Sequence, residues 1–303
     1  MGVRSKGRYS ISDFIELREK SMRFGINTFL FTSPFTNEST NLFKSFKKWG
    51  FDSVEIAVEH ESHIDPVYVK SELNRHGLLS STVCGAYGPG RDLRGTKEEQ
   101  AACLDYVHKL IDIMTVLDSS ILVGPIYSAV GRAEYVPEKE KRSQWKQVVQ
   151  HLKTLCRYAE KKRKIIALEP LNRFETDFIN TCDQAIQMVK DVGSPALAIH
   201  LDTFHMNIEE KNQAAAIRRA GKMLGHLHAC GSDRGTPGSD HIDWKGIAAA
   251  LKRIGYKRDV SIESFTPDVL VIAKAAAIWR EMEPNKNDIA IQGLKFLRKT
   301  LPS

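Results

Sequence analysis

IIALE, at residues 165–169, is the first of four short apolar segments that each end in a side chain able to bind a metal ion. The others are LAIHLD (197–202), LGHLH (224–228) and VSIE (260–263). Each segment is typical of a buried β-strand, and the interval from one to the next fits one strand-plus-helix unit. A ring of parallel strands would bring the four ends to one mouth around a single cation. The pattern therefore predicts an enzyme active site at that mouth.

The same alternation of strand and helix patterns extends along the whole chain. Eight apolar runs are candidate strands: Gly25–Phe31, Ser53–Val58, Leu79–Cys84, Ser120–Val123, Ile165–Glu169, Leu197–Asp202, Gly225–His228 and Val260–Glu263. Longer amphipathic stretches are candidate helices: Thr40–Trp49, Pro66–His76, Lys97–Leu117, Lys139–Lys161, Thr181–Val192, Lys211–Ala220, Trp244–Gly255, Asp268–Trp279 and Asp288–Thr300. Such alternation predicts an α/β fold with a parallel sheet.

Closure of that sheet into a (β/α)8 TIM barrel is favoured over an open doubly wound sheet. There are eight repeats, and no glycine-rich dinucleotide motif follows the first strand. No linker or composition shift divides the chain. We expect one barrel domain over residues 23–303, preceded by a short N-terminal extension over residues 1–22.

The composition is that of an ordinary globular chain, with 303 residues, 42% hydrophobic and 27% charged. No run approaches the roughly 18 apolar residues that a membrane span needs, so we expect no membrane partner. The five cysteines are odd in number and irregularly spaced, which favours reduced thiols and a cytoplasmic protein.

The net charge of +7 permits an acidic partner such as a nucleic acid. The basic residues are scattered, however, and Lys161–Lys164 is the single dense run. This run lies between a candidate helix and a candidate strand, on the rim opposite the four strand ends. We interpret it as a solvated turn and expect no nucleic-acid partner.

Four residues on consecutive predicted strands form the candidate metal site. They are Glu169, Asp202, His228 and Glu263. Three carboxylates and one imidazole make a hard, mostly oxygen site, which suits Mn²⁺, Mg²⁺ or Co²⁺ better than a structural zinc. An acidic residue at the end of a single strand is usually a helix cap, but four potential ligands at the ends of consecutive strands favour a metal site. His200 and His226 each precede a predicted ligand by two residues and are expected to pack or to support the ligands.

The segments that leave these strands resemble those of the ketose 3-epimerases, which belong to the xylose isomerase-like barrels. This family includes the D-tagatose, D-psicose (D-allulose) and L-ribulose 3-epimerases. The motifs that carry the resemblance are ALEPLNRFET (167–176), LDTFHMNIEE (201–210), HLHACGSDRGTPG (226–238) and IESF (262–265). Two loops of the first half, at residues 83–86 and 124–131, depart from the family's common pattern, and they shape the pocket for the far end of the sugar.

The resemblance implies that the four predicted ligands hold one divalent metal ion per subunit, foremost Mn²⁺, with Co²⁺ or Mg²⁺ as alternatives. It implies that Glu175, His205 and Arg234 contact a small-molecule ketose substrate. It also implies a homodimer or a homotetramer. The expected activity is that of an isomerase that interconverts C3 epimers of free 2-ketoses, such as D-fructose and D-psicose, D-tagatose and D-sorbose, or L-ribulose and L-xylulose.

Inversion at C3 requires removal of a proton from one face and its return to the other, through a cis-enediolate. Glu169 and Glu263 would stand on two sides of the metal, so each is a candidate both as ligand and as catalytic acid or base. Asp202 and His228 would be ligands alone. An aldose–ketose or inosose isomerase of the same barrel class is the alternative, and an apurinic endonuclease-like nuclease is a remote one.

Overall fold

The computed structural model describes residues 21–301, so the predicted N-terminal extension lies outside the described residues except for its last two positions. Eight parallel strands form a closed barrel in chain order, with the last strand paired to the first. The strands are β1 (Arg23–Asn27), β2 (Ser53–Val58), β3 (Thr82–Gly85), β4 (Ile121–Gly124), β5 (Ile165–Leu168), β6 (Leu197–Asp202), β7 (Leu224–Ala229) and β8 (Asp259–Ile262). The predicted TIM barrel is therefore confirmed.

Helices separate the strands and cover the outside of the barrel. They are α1 (Phe43–Trp49), α2 (Pro66–His76), α3 (Lys97–Leu117), α4 (Glu138–Lys162), α5 (Cys182–Val192), α6 (Thr203–Glu209), α7 (Gln213–Ala220), α8 (Trp244–Ile254), α9 (Leu270–Ala275) and α10 (Lys286–Thr300). Several end at a glycine in the left-handed conformation, as at Gly193 (φ 67°) and Gly255 (φ 68°), where the absence of a side chain permits the turn toward the next strand.

Several predicted boundaries are corrected near the mouth of the barrel. Strand β1 ends at Asn27, four residues before the predicted end, because the Asn27 side chain accepts a hydrogen bond from the Phe29 backbone N–H and caps a short 3-10 helix. Helix α6 was not predicted; it begins directly after Asp202, whose side chain accepts a bond from the Phe204 N–H. The predicted helix Asp268–Trp279 is reduced to α9, since the chain takes a positive φ of 56° at Ala277.

At the base of the barrel, a polar cluster around Asp259 of β8 connects the last strand to the first strands. Arg23 Nε donates to Asp259 Oδ1 at 2.7 Å, and the Ser53 hydroxyl donates to Asp259 Oδ2 at 2.6 Å. The Ser81 hydroxyl also contacts Asp259 Oδ2. The carboxylate therefore has several donors, which offset the cost of burying it where the barrel closes.

The strand register determines which side chains reach the mouth. Asp202 of β6 lies opposite His228 of β7, and His228 lies opposite Ser261 of β8. Glu169 and Glu263 directly follow β5 and β8. Because all eight strands are parallel, their carboxyl ends meet on one face of the barrel, and these four residues converge there. The basic run at Lys161–Lys164 covers the last two residues of α4 and the two-residue turn before β5, so it lies on the opposite rim, as predicted.

Candidate active site

The structure brings the four predicted metal ligands together. Ligand atoms of Glu169, Asp202, His228 and Glu263 all lie within 4.8 Å of one another, and all four residues are buried. His228 Nδ1 is 3.2 Å from Glu263 Oε2 and 4.0 Å from Glu169 Oε1. The sequence spacing thus identified a real cluster of donors at the mouth.

Two unpartnered atoms indicate that this cluster suits a divalent cation. His228 Nδ1 and Glu169 Oε1 are buried and make no hydrogen bond to the described residues. His228 Nε2 instead lies 2.6 Å from Glu55 Oε1. If Nε2 carries the proton and donates to Glu55, the lone pair of Nδ1 faces the three carboxyl groups. An imidazole lone pair beside three carboxyl groups is a donor set that fits Mn²⁺, Co²⁺ or Mg²⁺.

Glu55 is a supporting residue that the sequence analysis missed. It is fully buried on β2, and besides His228 it receives the Asn27 amide (2.7 Å) and the Thr82 hydroxyl (2.6 Å). Asn27 Nδ2 also lies 3.1 Å from Glu263 Oε1. Glu55 therefore orients His228 directly, and shares a donor with Glu263. The signal in the sequence was an acidic residue within the otherwise apolar run SVEIAV.

Arg234, predicted to contact substrate, reaches the center of the cluster. Its Nη1 donates to Asp202 Oδ2 at 2.6 Å and to Glu263 Oε2 at 3.2 Å. The guanidinium carbon lies 4.2 Å from the ring centroid of Phe204 and 4.7 Å from that of Phe265. These two rings and the two carboxyl groups therefore hold the buried guanidinium of Arg234 at the mouth.

His205 and Glu175, the other predicted substrate contacts, lie beside it. The Asn172 backbone N–H donates to His205 Nδ1 at 3.1 Å. His205 Nε2 is 3.8 Å from Glu169 Oε1 and 2.9 Å from Arg234 Nη2. The Asn172 amide donates to Glu175 Oε1 at 2.7 Å. All three predicted residues therefore border the cluster.

The electrostatic environments of the two candidate acid–base residues differ. Burial raises the pKa of Glu169 well above its usual value, and the nearby charge of Glu263 adds to this. Burial also acts to raise the pKa of Glu263, but the charges of His228 and Arg234 bring it below the usual value. Burial and the charge of Arg234 keep the pKa of His205 well below its usual value.

The two histidines expected to pack or to support the ligands are buried beneath the cluster. The ring centroids of His200 and His228 are 4.1 Å apart at an interplanar angle of 80°. His200 Nδ1 lies 3.6 Å from Glu169 Oε2, and His226 Nε2 lies 2.8 Å from Glu55 Oε2. Both rings therefore lie beside a carboxyl group of the site and pack directly against the His228 ring, since the centroids of His226 and His228 are 5.0 Å apart.

A cavity of about 650 Å³ opens above the cluster. One side is lined by Glu169, Glu175, His205, Arg234 and Glu263. The other side is lined by Cys84 of β3 and by the loops after β2 and β3, with Glu59, Tyr87 and Arg91. Much of the remaining wall is apolar, and α9 contributes Ile272. This is a volume typical of small-molecule sites.

A closed parallel barrel with acidic residues, a histidine and a cavity at the carboxyl ends of its strands defines an enzyme of the TIM-barrel class. Residues 43–300 match the family model described as xylose isomerase-like TIM barrel. The chain is 34% identical to a "probable ketose 3-epimerase" of Synechocystis sp., over 92% of this chain and 96% of the relative. It is 31% identical to a D-psicose 3-epimerase of Enterocloster bolteae, over 89% and 91%.

A solved structure agrees with these relatives. The D-allulose 3-epimerase from Methylomonas sp. in complex with D-allulose superimposes with a TM-score of 0.86 at 27% identity, covering 93% of this chain and 98% of that one. The chain therefore belongs to the xylose isomerase-like TIM barrel family and, within it, to the epimerases, a class of isomerases. No helix in the described part, residues 21–301, is long and apolar enough to cross a membrane.

Proposed function

We propose that this chain is a divalent-metal-dependent ketose 3-epimerase that interconverts the C3 epimers of free 2-ketoses. The observation that carries the proposal is the meeting of Glu169 and Glu263 with Asp202 and His228 at one mouth, within 4.8 Å of one another. Two of these carboxyl groups come from β5 and β8, three strands apart around the barrel. Relatives named ketose 3-epimerase and D-psicose 3-epimerase support the reaction class.

Glu169, Asp202, His228 and Glu263 would hold the metal. When bound, the ion would supply Lewis-acid stabilisation of the negative charge that develops on the substrate oxygens, an effect of several kcal/mol. Mn²⁺ is the first choice for the oxygen-rich donor set, and Co²⁺ and Mg²⁺ are the alternatives.

Glu169 and Glu263 would transfer the protons. A carboxylate on one side of C3 removes the proton, and a carboxylic acid on the other side returns one, which inverts the configuration. The two groups exchange these roles in the reverse direction. Placement on β5 and β8 supports this division, because the two side chains enter the cavity from separate sectors of the barrel wall.

His205, Arg234 and Glu175 would bind the substrate oxygens near the reacting carbon. Arg234 presents N–H donors beside Asp202 and Glu263, and an enediolate oxygen there would gain charge-assisted hydrogen bonds. His205, which lies between the Asn172 N–H and the Arg234 guanidinium, would form a hydrogen bond with a neighbouring substrate hydroxyl. Glu175 would accept from a substrate hydroxyl while Asn172 orients its carboxyl group.

The test is a panel of ketohexoses and ketopentoses, incubated with Mn²⁺, Co²⁺ or Mg²⁺ before and after chelation, with products separated by chromatography. We expect C3 epimers as products, loss of activity after chelation, and recovery when metal is restored. An aldose as the main product would identify the alternative, an aldose–ketose isomerase. Unchanged activity after complete metal removal, checked by elemental analysis, would contradict the metal-dependent scheme.

A further inference from the structure

The barrel interior beneath the four candidate ligands is polar, although the interior of a TIM barrel is usually filled by branched apolar side chains. Glu55 of β2, His200 of β6 and His226 of β7 lie there, and all three are fully buried. Polar side chains taken out of water cost free energy unless they find partners inside the protein. Packing alone therefore does not account for this layer.

Three imidazole rings converge in this layer. Ring nitrogens of His200, His226 and His228 all lie within 4.8 Å of one another. The ring centroids are 5.2 Å apart for His200 and His226, 5.0 Å for His226 and His228, and 4.1 Å for His200 and His228. Imidazoles that share one zinc ion have metal–nitrogen bonds of about 2.0–2.1 Å, which places their nitrogens roughly 3.3 Å apart. Small rotations of the three rings would reach that spacing.

The nitrogens of two of these rings have no hydrogen-bond partner. Both ring nitrogens of His200 and both of His226 are buried and make no hydrogen bond to any residue of the range 21–301. His226 Nε2 lies 2.8 Å from Glu55 Oε2, but without the alignment of a hydrogen bond. A neutral imidazole has one lone pair, and leaving a buried polar group unpaired costs about 1–3 kcal/mol. Two unpaired lone pairs directed into one layer indicate a ligand that accepts them, which is a metal cation.

His228 belongs to this set and also to the candidate catalytic set, through the same nitrogen. Its Nε2 is engaged by Glu55 Oε1 at 2.6 Å, so Nδ1 is the nitrogen left to bind a metal. Nδ1 also lies 3.2 Å from Glu263 Oε2 and 4.0 Å from Glu169 Oε1. One lone pair binds one cation, so a cation held by the three histidines withdraws His228 from the catalytic set.

We propose that His200, His226 and His228 form a second cation site, selective for Zn²⁺, and that Zn²⁺ bound there inhibits the enzyme by withdrawing His228 from the catalytic metal. A set of three imidazoles is a typical zinc site, whereas the oxygen-rich set above it suits Mn²⁺. The inhibition rests on the proposed function, because it requires the catalytic metal of that proposal. The second site itself depends only on the three histidines.

The experiment measures the Kd of Zn²⁺ and of Mn²⁺ for the metal-free full chain by calorimetric titration. His200→Gln and His226→Gln should each lower the ratio of Zn²⁺ affinity to Mn²⁺ affinity by about tenfold or more, because even a residue that only supports a metal ligand contributes about that much. Asp202→Asn, which changes the catalytic set alone, should raise the ratio by about tenfold. The matched control His76→Gln, on α2, should leave it unchanged.

Two further readouts test the competition for His228. After dialysis against both metals, elemental analysis should find one cation per chain, either Zn²⁺ or Mn²⁺. In activity assays, Zn²⁺ should inhibit the Mn²⁺-loaded enzyme, and the concentration for half-inhibition should rise with the Mn²⁺ concentration. His226→Gln should require about tenfold more Zn²⁺ for the same inhibition.

The affinity ratio compares two metals on one preparation, so it is independent of how much folded protein is recovered. The wild-type ratio in both histidine variants would overturn the proposal, because Zn²⁺ would then be held by the catalytic set. One Zn²⁺ and one Mn²⁺ bound together on each chain would overturn the competition for His228. Failure of the wild-type protein to bind Mn²⁺, with Zn²⁺ binding still dependent on His200 and His226, would instead contradict the proposed function and leave the zinc site in place.

Discussion

The two halves of the barrel mouth differ in how they are built. The half formed by β5 to β8 carries the four candidate ligands, each at or next to the carboxyl end of its strand. The half formed by β1 to β4 supplies residues that contact a candidate ligand, such as Glu55 in the middle of β2, which lies beside His228. It also supplies residues that line the far side of the cavity, such as Tyr87. From this difference we expect the chemistry to be carried out by the half formed by β5 to β8 and supported by the other half.

The largest effect that tests this division is expected for Glu263→Gln. The variant keeps the size of the side chain but removes the acid–base group, so kcat should fall by roughly 10²- to 10⁴-fold or more. Steady-state kinetics with saturating Mn²⁺ measures the loss, and circular dichroism checks the fold. Full activity in this variant would show that the β8 carboxyl group takes no part in proton transfer.

Asp202→Asn is expected to act on metal binding rather than on proton transfer. Its carboxyl group lies in the cluster and also accepts from Arg234 at 2.6 Å. The neutral amide should lower Mn²⁺ affinity and reduce the thermal stabilisation that Mn²⁺ gives, which for a ligand at 100 times its Kd is about 2.7 kcal/mol. Calorimetric titration measures the affinity. Wild-type affinity in this variant would remove Asp202 from the ligand set.

Glu55→Gln tests whether the first half supports the second. The amide keeps the shape but brings an N–H₂ group toward donors that now approach a carboxylate, so the orientation of His228 is weakened. We expect Mn²⁺ affinity to fall about 10- to 100-fold. Glu72→Gln on α2 is the matched control. Unchanged affinity in Glu55→Gln would mean that the contact with His228 does not tune the site.

The smallest effect is expected for Tyr127→Phe. The Tyr127 hydroxyl on the loop after β4 lies 2.8 Å from the Glu169 carbonyl oxygen and 3.0 Å from the Ile179 carbonyl oxygen. Loss of these contacts should lower the free energy of unfolding by about 1–3 kcal/mol. Urea denaturation measures it. An unchanged midpoint would show that this loop is held by packing alone.

How far the sequence predicts the structure follows the same division. Glu169, Asp202, His228 and Glu263 were predictable because each ends an apolar run, and parallel strands place such ends together. Arg234, His205 and Glu175 were identified by resemblance, and the structure places them beside the ligands. Their roles in catalysis and binding remain predictions, as do the homo-oligomeric state and the cytoplasmic location.

The rest was not visible in the sequence because it depends on contacts between distant segments. Glu55 can orient His228 only because β2 and β7 face each other across the barrel interior, which brings Glu55 Oε1 to His228 Nε2. Tyr87 lines the cavity because Gly85 and Gly124 lack side chains, and their positions relative to its ring follow from the packing of β3 and β4. Helix α6 was missed because Asp202 was assigned as a ligand, although it also caps that helix.

The measurement that tests the central claim most directly is proton exchange at C3 during turnover in D₂O. If Glu169 and Glu263 remove and return the proton from two sides, the metal-loaded enzyme should give an epimer that carries deuterium at C3, as detected by NMR, with no label at other carbons. An inverted product that keeps its original hydrogen at C3, or an aldose labelled at C2, would contradict the account.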